Sequence, residues 1–308
     1  MSNFEELRIV DNFYQTSAYY PMPVVAITTV NEAGLTNIGP YSLCLPYYVA
    51  GKDYYAMLLE TRNNSNTAIN LLTNGRCVLN FIPDSKKFMK NCVRLGFPGD
   101  TTEEKMAESI YTLQKNDYIN DGDGKHRWPE VISESYQSFI CSWVSELEDA
   151  GRFGVQESYV PPYNDFNGIT SEMGAHFILK IEKIYMKPEY KKGIIDGVKK
   201  SSFPPVPVDY GYRDNTNFWI AGFKKPYTEA IPDKKGMGLD TVKYAADRID
   251  PDFKFTDEAC AEMVKVPRIF LKTALNGCVD WARENNVSLI TAEHMKIIRD
   301  KRAGEKAK

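Results

Sequence analysis

Asn37-Ile38-Gly39-Pro40-Tyr41-Ser42 and Arg62-Asn63-Asn64-Ser65-Asn66-Thr67 are the two stretches whose reading decides the fold. They stand between Pro23 and Phe81, bracketed by β-rich segments. An apolar run from Val24 ends in the pair Thr28-Thr29 and is followed by Asn31 to Gly34, which predicts a strand and a hairpin turn. Gly39 and Pro40 then predict a loop that presents its backbone and the Ser42 hydroxyl. Beyond it, Tyr54 to Leu59 reads as a second strand. The Asn/Ser/Thr turn leads into a short helix, Ala68 to Leu72, stopped at Thr73-Asn74-Gly75, and Cys77 to Ile82 reads as a third strand.

Working outward, the chain of 308 residues is 43% hydrophobic and 26% charged, enough to bury a sizeable core in one large or two modest domains. A net charge of −3 gives no general attraction to nucleic acid or an anionic membrane. No run of 18 or more apolar residues occurs and Met1 to Val10 is charged, so a cytoplasmic protein is expected. Six cysteines lack any C-x-x-C pair and only three histidines occur, so no metal site is expected and the cysteines read as core residues in a reducing compartment.

Short β-branched and aromatic runs fill the first two thirds. Between Pro83 and Pro129 the pattern turns helical, with Thr101-Thr102-Glu103-Glu104 opening a run from Lys105 to Lys115. This predicts a helical insertion over about 84–129. Strand character returns at Ser138 to Leu147 and Phe177 to Met186. A Pro/Gly-rich boundary near Pro232 to Gly238 separates residues 1–235 from an all-helical unit, 236–308, with starts at Asp240, Thr256 and Thr291.

The chemistry follows from the two opening stretches. Arg62 offers a planar fork for a phosphate, while Asn64, Ser65 and Thr67 offer neutral donors just before a helix whose free amides favour an anion. Thr28 and Thr29, at a strand end, would face the same cavity. A turn of this composition is equally an ordinary helix N-cap, and Asn31 to Gly34 is equally a plain hairpin turn. His176, entering a strand, reads either as a structural hydrogen-bonding residue or as a group beside a substrate. Asp121-Gly122-Asp123-Gly124 resembles a calcium loop only superficially, lacking the remaining ligands.

The order and spacing of these elements resemble the flavin reductase-like family over roughly residues 15 to 225. The matching stretches are Pro21-Met22-Pro23-Val24 through Thr28-Thr29, Asn37 through Ser42, Thr67-Ala68-Ile69-Asn70-Leu71, Val78-Leu79-Asn80, and Gly174-Ala175-His176 entering a late strand. The resemblance implies a mainly β fold, an FMN-binding split barrel of antiparallel Greek-key type, carrying FMN and taking hydride from NAD(P)H. It implies FMN contacts from Thr28, Thr29, Asn37, Gly39, Pro40, Tyr41, Ser42, Leu43, Arg62, Asn64, Ser65 and Thr67, a substrate-side role for His176, and a homodimer. This chain has Ser65-Asn66 where the family often has Lys-Asp, so the phosphate cation must come from Arg62 or elsewhere.

The tail, Asp257 to Lys301, resembles the small C-terminal helical domain of the light-independent protochlorophyllide reductase B subunit, through Val266-Pro267-Arg268-Ile269-Phe270 and Leu289-Ile290-Thr291-Ala292-Glu293. It implies a docking module without chlorophyll chemistry. Three functions remain open at this point: an FMN-dependent oxidoreductase, a flavin-binding electron carrier that docks on a redox partner, and a non-catalytic flavin or tetrapyrrole binding module.

Overall fold

The computed structural model of the chain describes residues 5–8, 19–48, 54–96, 100–118, 127–145, 174–196, 203–213, 218–222 and 238–306. The expected domain boundary at 232–238 falls almost wholly outside them, as do the 121–124 loop, His126 and residues 151–173. By its internal contacts the chain divides into two compact units, residues 1–227 and 228–308.

The first unit contains strands β1 (Met22–Pro23), β2 (Val25–Val30), β3 (Thr36–Tyr41), β4 (Cys44–Tyr47), β5 (Ala56–Arg62), β6 (Arg76–Phe81), β7 (Leu113–Gln114), β8 (Val131–Ile132), β9 (Gln137–Trp143), β10 (Gly174–Met186), β11 (Val208–Arg213) and β12 (Phe218–Ala221). Its helices are α1 (Asn66–Asn74), α2 (Lys86–Leu95), α3 (Thr102–Ala107) and α4 (Pro188–Asp196). Seven strands form one antiparallel sheet in the order β3-β2-β6-β9-β10-β5-β4.

The two edges of that sheet, β3 and β4, are joined by only Ser42 and Leu43. A flat sheet of this width would hold its edges about 29 Å apart at ~4.8 Å per strand. The link from Tyr41 to Cys44 reaches at most about 11 Å. The sheet therefore curls strongly enough to bring the end of β3 to the start of β4, forming an open half-barrel. Side chains alternate accordingly: Val25, Ile27, Met57, Leu59, Cys77, Leu79, Phe177 and Leu179 fill the interior with Ala68 and Leu71 of α1. Val24, Ala26 and Ile38 point the other way, under α2 and the segment through Tyr111.

Asn37 to Ser42, expected as a loop, is instead largely strand β3, paired with β2 from Val25↔Tyr41 to Val30↔Thr36. Pro40 is tolerated because β3 is a sheet edge, where a missing N–H costs no ladder bond. The hairpin turn is as expected: Gly34 takes φ 83°, and Asn31 accepts the Leu35 amide on its side chain at 2.8 Å. The expected helix over 101–115 stops at Ala107, and Leu113–Gln114 pairs with Val131–Ile132 instead. Thr101 and Glu104 close a capping box at its start.

In the second unit, α5 (Leu239–Ile249), α6 (Asp257–Met263), α7 (Leu271–Glu284) and α8 (Ala292–Lys306) pack around Val242, Ala246, Cys260, Leu275, Cys278 and Ile290. It departs from the all-helical expectation: β13 (Lys254–Phe255) and β14 (Leu289–Ile290) pair in parallel. Each of these strands runs into a helix through a threonine, Thr256 capping α6 and Thr291 preceding α8. Among the described residues no helix is long and apolar enough to cross a membrane.

Candidate functional site

The N-terminus of α1 lies on one face of β3. Asn37, Gly39 and Tyr41 alternate onto that face, and each meets a residue of the turn or first helical turn. Asn66 donates from its amide to Asn37 Oδ1 at 3.4 Å. Gly39 is tight against Thr67: a Cβ there would fall 2.6 Å from the Thr67 hydroxyl and 2.8 Å from the Tyr41 ring. Glycine is required for this approach, without any unusual backbone angle. Tyr41, Thr61 and Ser65 bring their hydroxyls together, with Thr61 Oγ1 3.2 Å from the Tyr41 oxygen and 3.0 Å from Ser65 Oγ.

Ser65 is also the helix N-cap, accepting the Ala68 amide at 3.1 Å. The first intrahelical bond runs from Ile69 N to Ser65 O, so the amides of Asn66 and Thr67 precede it. The turn itself is closed by Ser65 N donating to Arg62 O at 3.1 Å, which holds Arg62 at the rim with Asn64 exposed at the apex. Pro40 lies beside Gly96 of the segment after α2, and Leu43 O accepts the Glu60 amide at 2.9 Å, fixing the half-buried Ser42-Leu43 link against β5.

Thr28 points away from this cluster, whereas Thr29, paired with Asn37, lies on the face that receives α1 and is held by Asn70 of that helix. Neighbours on a strand point to opposite faces, so they never share a cavity. Both are fully buried. Thr28 donates to the Glu130 carbonyl at 2.8 Å and accepts from Asn80 at 3.2 Å, while Thr29 accepts from Asn70 at 3.0 Å. Both hydroxyls are engaged in hydrogen bonds within the sheet and to its flanking segments. His176 sits half-buried on β10, paired with Glu60, on the face of the sheet opposite Ala175 and Phe177.

Sequence reasoning missed Lys105. It lies on α3, half-buried, and its ammonium is pushed below the usual range by burial; Asp100 opposes the shift and the Arg62 guanidinium adds to it. Two cations therefore come within electrostatic reach beside the start of α1. Nothing local in the sequence ties residue 105 to residue 62, so no pattern could have found it. Also missed was a cavity of about 570 Å³ at the other end of β5, lined by Tyr47, Tyr48, Tyr55, Met57, Phe139 and Ile184. The six cysteines are all buried, and burial pushes the thiols of Cys44 and Cys141 well up, so they stay protonated packing groups. Among the described residues no cluster of His, Cys, Asp and Glu is arranged to hold a metal ion.

No protein-family model matches the chain, and no curated protein matches it. Solved structures similar to it include 2-nitrobenzoate 2-nitroreductase from Pseudomonas fluorescens, at 16% identity and a TM-score of 0.46 over 70% of this chain and 88% of that one. Flavoredoxin from Methanosarcina acetivorans is similar at 16% identity and a TM-score of 0.46, over 74% of this chain and 95% of that one. Flavoredoxin of Desulfovibrio vulgaris is similar at 11% identity and a TM-score of 0.47, over 75% and 97%.

Proposed function

We propose that the chain is an FMN-dependent oxidoreductase that takes hydride from NAD(P)H and passes electrons to an acceptor. The observation that carries this reading is the seating of the α1 N-terminus on Asn37, Gly39 and Tyr41, with Arg62 at its rim. The donor set suits a phosphate-bearing ring: a guanidinium fork, amides ahead of the first helical bond, and the hydroxyls of Tyr41, Thr61 and Ser65. Bound there, FMN would supply the hydride-accepting chemistry.

The chain's own residues would bind and orient. Arg62, Ser65 and Thr67 would take the phosphate, and the Gly39 to Leu43 backbone would lie along the ring edge with the Ser42 hydroxyl. His176, on the β10 side of β5, would meet the nicotinamide. A homodimer is the proposed assembly. Leu45, Tyr48, Tyr55 and Ile184 support it, because they expose apolar surface at and beside the edge strand β4.

The test is direct. The purified chain is titrated with FMN under fluorescence, then mixed rapidly with NADH or NADPH while the flavin absorbance is followed. Saturable binding with bleaching of the flavin band is expected. Absence of flavin binding overturns the reading.

A second reading, a flavin-binding electron carrier, is favoured by one feature of the C-terminal unit: Ile269 and Phe270 stand side by side and exposed on the 3-10 turn Arg268–Phe270, as a docking module requires. Flavin binding without reduction by either nicotinamide selects this reading.

A further inference from the structure

The inserted segment packs against the start of α1 and against β3. Thr102 and Lys105 are three residues apart on α3 and so share a helical face. That face meets β3, since the Thr102 hydroxyl lies 3.5 Å from Asn37 Oδ1. Asn66, the first residue of α1, donates to the same Asn37 oxygen at 3.4 Å and to the Asp100 carbonyl, just before α3, at 3.0 Å. The starts of α1 and α3 are thus pinned to one buried asparagine side chain, and Lys105, on the same face of α3 as Thr102, lies within electrostatic range of Arg62.

A half-buried ammonium within electrostatic range of a guanidinium is disfavoured, since both desolvation and like charge oppose it. Asp100 offsets part of that cost from the loop before α3. Of the other acids on α3, Glu104 is held by the Thr101 amide in the capping box and Glu103 is exposed. A dianion placed between the two cations and the free amides of α1 would turn each unfavourable contact into an attractive one.

We propose that Lys105 and Arg62 form a two-cation cradle for a phosphomonoester dianion, so that the insertion is a working wall of the binding site. This rests on the flavin reading in one respect: the phosphate in question is that of FMN. The cradle is what separates FMN from riboflavin, which has the same ring and no phosphate.

Calorimetric titration of the full chain and of Lys105→Ala and Lys105→Arg with FMN and with riboflavin tests it. Lys105→Ala is expected to weaken FMN by about tenfold and leave riboflavin unchanged, with Lys105→Arg restoring most of the loss. Equal weakening of both flavins, or unchanged FMN affinity, overturns the cradle. A second measurement is independent of flavin: the side-chain NMR signal of Lys105 is titrated with pH, with and without orthophosphate. Its pKa is expected to rise when phosphate is present, because the dianion favours the ammonium; an unmoved titration overturns the cradle. If the parent chain binds neither flavin, the flavin reading falls, and this second titration alone decides the cradle.

Discussion

Thr28-Thr29 and the turn from Thr61 to Thr67 are two hydroxyl-rich regions of the same barrel, and their oxygens have opposite commitments. In the first, both threonines are fully buried and spend their hydrogen bonds on Glu130, Asn80 and Asn70. In the second, the hydroxyls of Tyr41, Thr61 and Ser65 cluster at a half-exposed rim beside two cations and a helix start. Composition does not separate them. What separates them is position along the strand: Thr28 and Thr29 lie inside β2, which has β3 on one side and β6 on the other, while Asn63 to Ser65 lie beyond the end of β5, whose last residue, Arg62, keeps a partner only in Gly174 of β10.

The strongest way to break the comparison is to attack the buried side. Asn80 bonds to Thr28, to the Val78 carbonyl, to the Ile132 amide and to Ser138, all at 3.1–3.2 Å. Asn80→Ala strands several of these groups in the barrel wall, and a stability loss of about 3 kcal/mol is expected in a urea melt. FMN affinity of the protein that remains folded should be unchanged; a large affinity loss would mean that the buried network and the rim are one unit.

Arg62→Ala is the opposite experiment. It should leave the melt close to the parent and weaken FMN by about tenfold or more, from loss of roughly 1.5–3 kcal/mol of charge-assisted bonding. Equal affinity in a fluorescence titration would remove Arg62 from the site.

Ser65 belongs to both categories, as cap and as rim hydroxyl, so it sharpens the contrast with the smallest effect. Ser65→Ala should cost about 1 kcal/mol of stability through the lost bond to the Ala68 amide. A melt unchanged within error would mean the helix start is held by its other contacts.

Much of the barrel was legible. The runs around Val25 to Val30, Ala56 to Arg62, Arg76 to Phe81 and Gln137 to Trp143 are β-branched or apolar on alternate positions, and such patterning survives tertiary context. The Asn31 to Gly34 turn and the Thr101 and Thr256 caps were readable because their chemistry is local. β3 was not, because Gly39-Pro40 carries the signature of a loop; only the edge position in the sheet makes that pair compatible with a strand. The expectation that Thr28 and Thr29 face one cavity failed for a related reason: strand alternation sends the two hydroxyls to opposite faces. Lys105 was illegible for a third reason. Its meeting with Arg62 spans 43 positions of chain and depends on how the inserted segment folds back over β3. The parallel pair Lys254–Phe255 with Leu289–Ile290 is too short to leave any period.

The order of strands around the barrel sets a schedule for its assembly. β9 and β5 are separated in the sheet by β10 alone, yet β10 begins at Gly174, more than a hundred residues after β5 ends at Arg62. While the chain emerges from a ribosome, β5 and β9 must therefore wait with open edges and apolar inner faces until β10 arrives to bridge them. Closing loops of that length costs entropy before any contact repays it, which makes the last step slow. The hairpin of β2 and β3, with its five-residue connection from Asn31 to Leu35, can form early and present Asn37, Gly39 and Tyr41. The face that receives the helix thus exists well before the wall that completes the barrel.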